Sequence, residues 1–217
     1  MTNQNSAPAR APLFSSTLLL FIAAMTAVVA ASNYLVQIPL AVTLGGVNLA
    51  DLLTLGAFTY PIAFFVTDLT NRHFGPKQAR VVVAAGFLLA VILSIWLATP
   101  RIAIASGSAF LVAQLLDVSI FDRLRHGTWW RAPLISSLLG SAIDTILFFA
   151  IAFAPVFGML DFGGEDGSLG FGVPFLGVGG EVPLWVSLAV GDFIVKVLVG
   201  FAMLVPYGLV ARKPAAA

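Results

Sequence analysis

Long apolar runs separated by short polar joints make up most of the chain. A bilayer core is about 30 Å thick, so a spanning helix takes about 20 mostly apolar residues. Six stretches meet that length: 14–36, 49–69, 79–98, 102–121, 133–156 and 183–210. This pattern predicts an all-α polytopic membrane protein with six transmembrane helices in one domain spanning 1–217. The connections are short except for 157–182, which holds eight glycines between 163 and 180. Pro61 interrupts the second stretch, and its missing backbone donor predicts a kink. A broken helix beside a cavity is a transporter device; a packed, inert kink is the plain alternative.

Composition agrees with a membrane solvent. Of 217 residues, 59% are hydrophobic and only 10% are charged, against roughly 25% charged in a soluble domain. So few charges cannot cover a soluble surface. The absence of cysteine excludes disulfides, thiolate metal sites and cysteine nucleophiles.

The placement of the basic residues orients the spans. Arg10 precedes the first stretch; Arg72, Lys77 and Arg80 follow the second; Arg123, Arg125 and Arg131 follow the fourth; Arg212 and Lys213 follow the sixth. If these ends are cytoplasmic, nine of the eleven basic residues lie inside, with Arg101 outside and Lys196 within the membrane. The loop 157–182 carries Asp161, Glu165, Asp166 and Glu181 and no Lys or Arg. Both termini are therefore expected in the cytoplasm, with 1–13 as a cytoplasmic tail and 157–182 as an external Gly-rich loop. Arg10, an apolar run and Val29-Ala30-Ala31 imitate a cleaved signal peptide, but the run continues to Pro39, too long for a signal core.

Ionisable groups inside a bilayer cost several kcal/mol and are functional candidates by default. In the fourth stretch Gln114 and Asp117 share a face with Phe110 and Phe121. Asp117 lies only about 6 Å from the cytoplasmic end, where it either serves function or neutralises Arg123 or Arg125. In the fifth, Ser137, Gly140, Ser141, Asp144 and Phe148 form one stripe. Small residues there suit helix packing, but Asp144, about 16 Å along the helix and near the midplane, needs a proton, a partner helix or a wet cavity. In the sixth, Asp192 and Lys196 stand four apart, with Gly200 continuing the stripe. That spacing favours an ion pair. Apolar packing would be at least as stable, so a ligand site, or a partner for Asp144, explains the pair better. Asn33, Asn48, Asp51 and Asp68 lie near span ends, where most polar residues are interfacial anchors. Gln114-Leu-Leu-Asp117 with Phe121 faintly echoes Ser141-Ala-Ile-Asp144 with Phe148.

Several chemistries fall away. His73 and His126 lie in connections without metal-ligand spacing, so neither a metal nor a cofactor is expected. No histidine lies in a span to serve a serine nucleophile. The Gly-rich loop has no phosphate-loop Lys, and nothing points to nucleic acid. Asp117 and Asp144 lack the Gly-rich setting of an aspartyl protease, and no filter motif marks a channel. What remains suits a small, planar, polar molecule: carboxylates accept parallel N–H bonds from an amidine-like edge, and phenylalanines cover ring faces.

One segment reads Pro61-Ile-Ala-Phe-Phe-Val-Thr67-Asp68-Leu-Thr-Asn71-Arg72-His-Phe74-Gly75-Pro76-Lys77-Gln-Ala79-Arg80. It resembles the signature of the queuosine precursor transporters in the vitamin uptake transporter group. Ser32-Asn33, the run from Ala109 to Asp117 with Phe121 and Arg123, the stripe from Ser137 to Phe148, and Lys196 extend the likeness over nearly the whole chain. Arg72 stands where the family usually has an acid, and Met203-Leu-Val-Pro206 replaces an L-D-T-P-like stretch.

The resemblance implies a bacterial inner-membrane importer of 7-cyano-7-deazaguanine or 7-aminomethyl-7-deazaguanine, working by secondary-transport alternating access. Asp144 and Asp117 are then expected to hold the guanine-like edge, with Asn33 and Gln114 assisting and Phe148 at the ring. Asp192 and Lys196 poise the site or carry a coupling proton, and Asp68, Asn71 and Arg80 form a cytoplasmic lock. Lipid is the expected surroundings, and a homodimer is compatible with this reading. The main rival is a vitamin- or nucleobase-binding subunit of an ATPase-energised system. An intramembrane enzyme and a structural scaffold are further rivals, the latter tolerant of Asp144→Leu and Asp192→Leu.

Overall fold

The computed structural model describes residues 15–161 and 169–211. The tail 1–13 with Arg10, the loop acids Glu165 and Asp166, and the terminal Arg212 and Lys213 lie outside the described residues.

Helix α1 (Ser16–Leu35) is capped by Ser15, whose hydroxyl accepts from the Leu18 amide at 3.2 Å. That side chain satisfies an amide the first turn leaves open. A small hairpin follows, β1 (Thr43–Leu44) with β2 (Val47–Asn48), turned at Gly45 and Gly46. After a 3-10 turn at Leu49–Asp51 come α2 (Gly56–Thr59) and α3 (Ile62–Phe74). Then follow α4 (Pro76–Leu97), α5 (Pro100–Leu124) and α6 (Arg131–Phe153). A turn at Pro155–Leu160, a hairpin of β3 (Gly172–Pro174) and β4 (Glu181–Pro183), and α7 (Leu184–Ala211) complete the chain.

Among the described residues five helices, α1, α4, α5, α6 and α7, are long and apolar enough to cross a membrane. The second expected stretch, 49–69, is not one helix. Its first residues form the 3-10 turn, and the helix begins at Gly56 and breaks at Tyr60–Pro61. Proline has no N–H to donate, and the bonds across the break tighten to Ala63→Tyr60 and Phe64→Pro61. Both residues keep right-handed helical angles. The two pieces together run from Gly56 to Phe74, roughly 28 Å at 1.5 Å per residue.

Gly75 ends α3 with φ at 82°, an angle that side-chained residues avoid, and Pro76 starts α4 immediately. The Phe74-Gly75-Pro76 part of the sequence signature is thus a tight reversal between two helices. Glycine also sets helix spacing at Gly140: a Cβ there would lie 2.7 Å from the Phe64 ring and 3.4 Å from the Ala113 carbonyl. Its absence lets α6 approach both α3 and α5.

The burial pattern is that of a protein solvated by lipid. Trp96 (83% exposed), Ile95, Ile146 and Leu198 point outward, while Asp68, Asn71, Gln114, Asp117, Asp144 and Lys196 are buried. Exposed apolar surface of this extent marks a membrane-facing exterior.

Candidate substrate chamber and polar seal

Asp144 and Lys196 face each other from the middles of α6 and α7. Lys196 Nζ donates to Asp144 Oδ2 at 2.7 Å and pairs with Asp192 Oδ2 at 2.5 Å, one helical turn back. It also reaches the Thr145 hydroxyl at 3.1 Å, and Thr145 donates to Asp192 Oδ2 at 2.9 Å. The Tyr60 ring, at the break between α2 and α3, lies 5.7 Å from the ammonium. A ring face at that distance attracts a cation. A carboxylate in each of two helices thus holds a lysine that would be costly alone in an apolar interior.

This cluster lines a chamber of about 530 Å³, a size typical of small-molecule sites. Its wall includes Asn33, Tyr60, Ser94, Phe148, Phe149 and Phe153. The lining comes from the C-terminal halves of α1, α4 and α6, the N-terminal halves of α5 and α7, and the segment 50–60. Phe148 and Phe149 meet edge to face with centroids 5.1 Å apart. Asn33 donates to the Val29 carbonyl at 2.9 Å, which orients its side chain at the rim. Arg101, at the start of α5, holds Asp161 at 3.1 Å through both carboxylate oxygens and bonds the carbonyls of Ile151 and Ala154.

A second buried polar group occupies the other half of the bundle. Asp68 on α3 accepts from the hydroxyls of Ser136 and Ser137 on α6, each at 3.2 Å. Thr67 lies 2.6 Å from Gln114 Oε1 on α5, and Asn71 donates to the Val118 carbonyl at 2.9 Å. Arg125 reaches the Asn71 carbonyl at 3.2 Å, and Arg72 the Arg125 carbonyl at 2.7 Å. These bonds fasten the end of α3 to α5 and α6. Asp117 lies beside Asp68. Both Asp117 oxygens, Gln114 Nε2 and Asn71 Oδ1 are buried with no hydrogen-bond partner among the described residues.

Of the residues expected at the substrate, Asn33, Asp144, Phe148, Asp192 and Lys196 line the chamber; Gln114 and Asp117 do not. They face α3 instead, because packing turns that side of α5 inward below the chamber. Arg125 takes Asp122 at 3.4 Å, so Asp117 is not its neutralising partner. Asp68 and Asn71 sit together in the second group, whereas Arg80 is exposed on α4 with no bond to either. Sequence reasoning misses Tyr60, Thr145 and Ser136, since neither a hydroxyl nor an aromatic ring is conspicuous in an apolar run. The Pro61 break is the one signal that points toward Tyr60.

An apolar exterior around a chamber with a charged floor is the architecture of a multi-pass membrane transporter. The chain belongs to the vitamin uptake transporter family: the profile described as "Putative vitamin uptake transporter" matches residues 54–99 and 94–210. A Haemophilus influenzae protein named "Probable queuosine precursor transporter" is 36% identical over 211 residues, covering 84% of this chain and 81% of its own length. The Escherichia coli "Queuosine precursor transporter" is 39% identical over 147 residues, covering 58% of this chain and 64% of its own. A Bacillus subtilis protein named "Probable queuosine precursor transporter" is 24% identical over 188 residues, covering 74% of this chain and 72% of its own. No solved structure matches.

Proposed function

We propose that this protein imports a queuosine precursor, 7-cyano- or 7-aminomethyl-7-deazaguanine, across a bacterial inner membrane by alternating access. The observation that carries this reading is the chamber floor: Asp144 and Asp192 bridged by Lys196 beneath walls of phenylalanine. A deazaguanine presents a donor-rich edge that carboxylates accept and two flat faces that aromatic rings cover. The names of the relatives support the same substrate class.

In this reading α2 and α3 together make the sixth crossing, and the whole chain acts as one transmembrane unit. Both termini are cytoplasmic and 157–182 is external. The basic residues at the ends of α3 and α5 support that orientation. The chamber then opens outward, and the contacts of Asp68 and Asn71 form the closed cytoplasmic gate. Import requires those contacts to part while the rim closes.

Uptake of labelled precursor tests the proposal. Cells carrying Asp144→Asn are expected to lose most uptake; a wild-type rate in that variant overturns the role of Asp144. Transport by the purified chain in liposomes is expected without any ATPase subunit, and dependence on one would favour the energised-subunit reading.

A further inference from the structure

The chamber is unequal in its charges and in its hydrogen-bonding groups. Among the described residues lining it, only Asp144, Asp192 and Lys196 are charged. Two carboxylates and one ammonium leave a formal charge of −1. An ammonium has three N–H bonds, and those of Lys196 are taken by Asp144 Oδ2, Asp192 Oδ2 and Thr145 Oγ1. The Thr145 proton goes to Asp192 Oδ2. Asp144 Oδ1 and Asp192 Oδ1 accept no hydrogen bond from a described residue. An arriving ligand therefore meets acceptors at the floor, and the lysine has no proton left to offer it.

We infer that the chamber selects a monocationic ligand: a planar deazapurine bearing a protonated primary amine, in preference to its neutral counterparts. The inference rests on the chamber being the substrate site. A bound cation brings the floor to neutrality, its ammonium meeting one open carboxylate oxygen while the guanine-like edge meets the other. A neutral ring with a nitrile brings another acceptor and, as it covers the floor, strips water from a carboxylate without supplying a counter-charge, which is expensive. The guanine-like edge is common to both compounds and adds nothing to the difference.

The two compounds thus become a measurement. Purified protein is titrated at neutral pH with 7-aminomethyl-7-deazaguanine, 7-cyano-7-deazaguanine and unsubstituted 7-deazaguanine. A charge-assisted hydrogen bond predicts at least about tenfold tighter binding of the aminomethyl compound than of either neutral one. Equal affinities, or tighter binding of a neutral compound, overturn the inference while leaving the chamber as the substrate site. Binding of none of the three overturns the proposed function and this inference with it. Asp192→Asn removes the excess charge. Whatever it does to overall affinity, it is expected to shrink the ratio of aminomethyl to neutral affinities, and an undiminished ratio overturns the charge argument.

Discussion

Lys196 of α7 and Asp144 of α6 meet at 2.7 Å across two helices that no local spacing connects, 52 residues apart in the chain. With Asp192 completing the bridge, the pair joins the two helices below the chamber and sets what a ligand finds there. Removing the lysine leaves both carboxylates without compensation, and breaking a buried pair costs about 3–5 kcal/mol. Lys196→Met is therefore expected to destabilise the protein by about that amount, because two carboxylates remain. Asp192→Asn is expected to cost less, since Lys196 keeps Asp144. Thermal melting in detergent ranks the two variants, and the reverse order would contradict the bridge.

Asp117 predicts the opposite sign. Its carboxyl lies against Asp68 and Ser136, yet neither oxygen reaches good hydrogen-bond geometry with a described residue, and a poorly satisfied buried polar group costs about 1–3 kcal/mol. Asp117→Leu is expected to raise stability by about that amount while lowering uptake, the trade-off of a working site. Because Asp117 is outside the chamber lining, ligand affinity is expected to stay at the wild-type value. Melting, uptake and titration of the same variant separate the three effects.

Two glycines on the inner stripes should behave differently. Gly140→Ala forces a Cβ to within 2.7 Å of the buried Phe64 ring, and overpacking costs about 1–3 kcal/mol. At Gly200 an added Cβ would meet nothing within 4 Å, so Gly200→Ala should gain up to about 1 kcal/mol from helix propensity. Denaturation of the two variants side by side reads the difference.

Arg101 is buried and forks between Asp161 and two carbonyls. Lysine has one nitrogen where arginine has a planar fork, so Arg101→Lys is expected to loosen the turn at Pro155–Leu160. The cost should be about 1.5–3 kcal/mol, the worth of a hydrogen bond to a charged group. Hydrogen exchange over residues 151–161 is expected to rise.

The absence of native cysteine makes access measurable. In intact cells, Leu188→Cys in the chamber wall is expected to react with an impermeant maleimide added outside, and saturating substrate should slow that reaction. Val118→Cys, fully buried beside the seal, is expected to resist. Equal labelling of both positions would contradict an outward-open chamber.

The charged centre of the site was legible because Asp144, Asp192 and Lys196 stand out in apolar runs and their cost demands a partner. Which helix face meets which was not. Gln114 and Asp117 share a stripe on α5, but only packing against α3 decides that the stripe faces Asp68 and not the chamber. The second span misleads for a related reason. Hydropathy between 49 and 69 averages over Pro61 and the turn before Gly56, and so conceals where the backbone changes direction. Partners such as Tyr60 and Thr145 become visible only once α2, α6 and α7 are brought together.

If the chamber alternates its access between the two sides, its excess carboxylate makes the protein sensitive to voltage. Carrying one elementary charge fully across a membrane is worth about 2.3 kcal/mol per 100 mV. An unloaded chamber that switches its opening from one side to the other re-addresses a negative charge relative to that field. An inside-negative potential draws the unloaded carrier toward the outward-facing state, while a cationic ligand cancels the charge and frees the inward step from the field. The potential of a respiring cell would then reset the empty transporter and leave the loaded one to follow the substrate gradient.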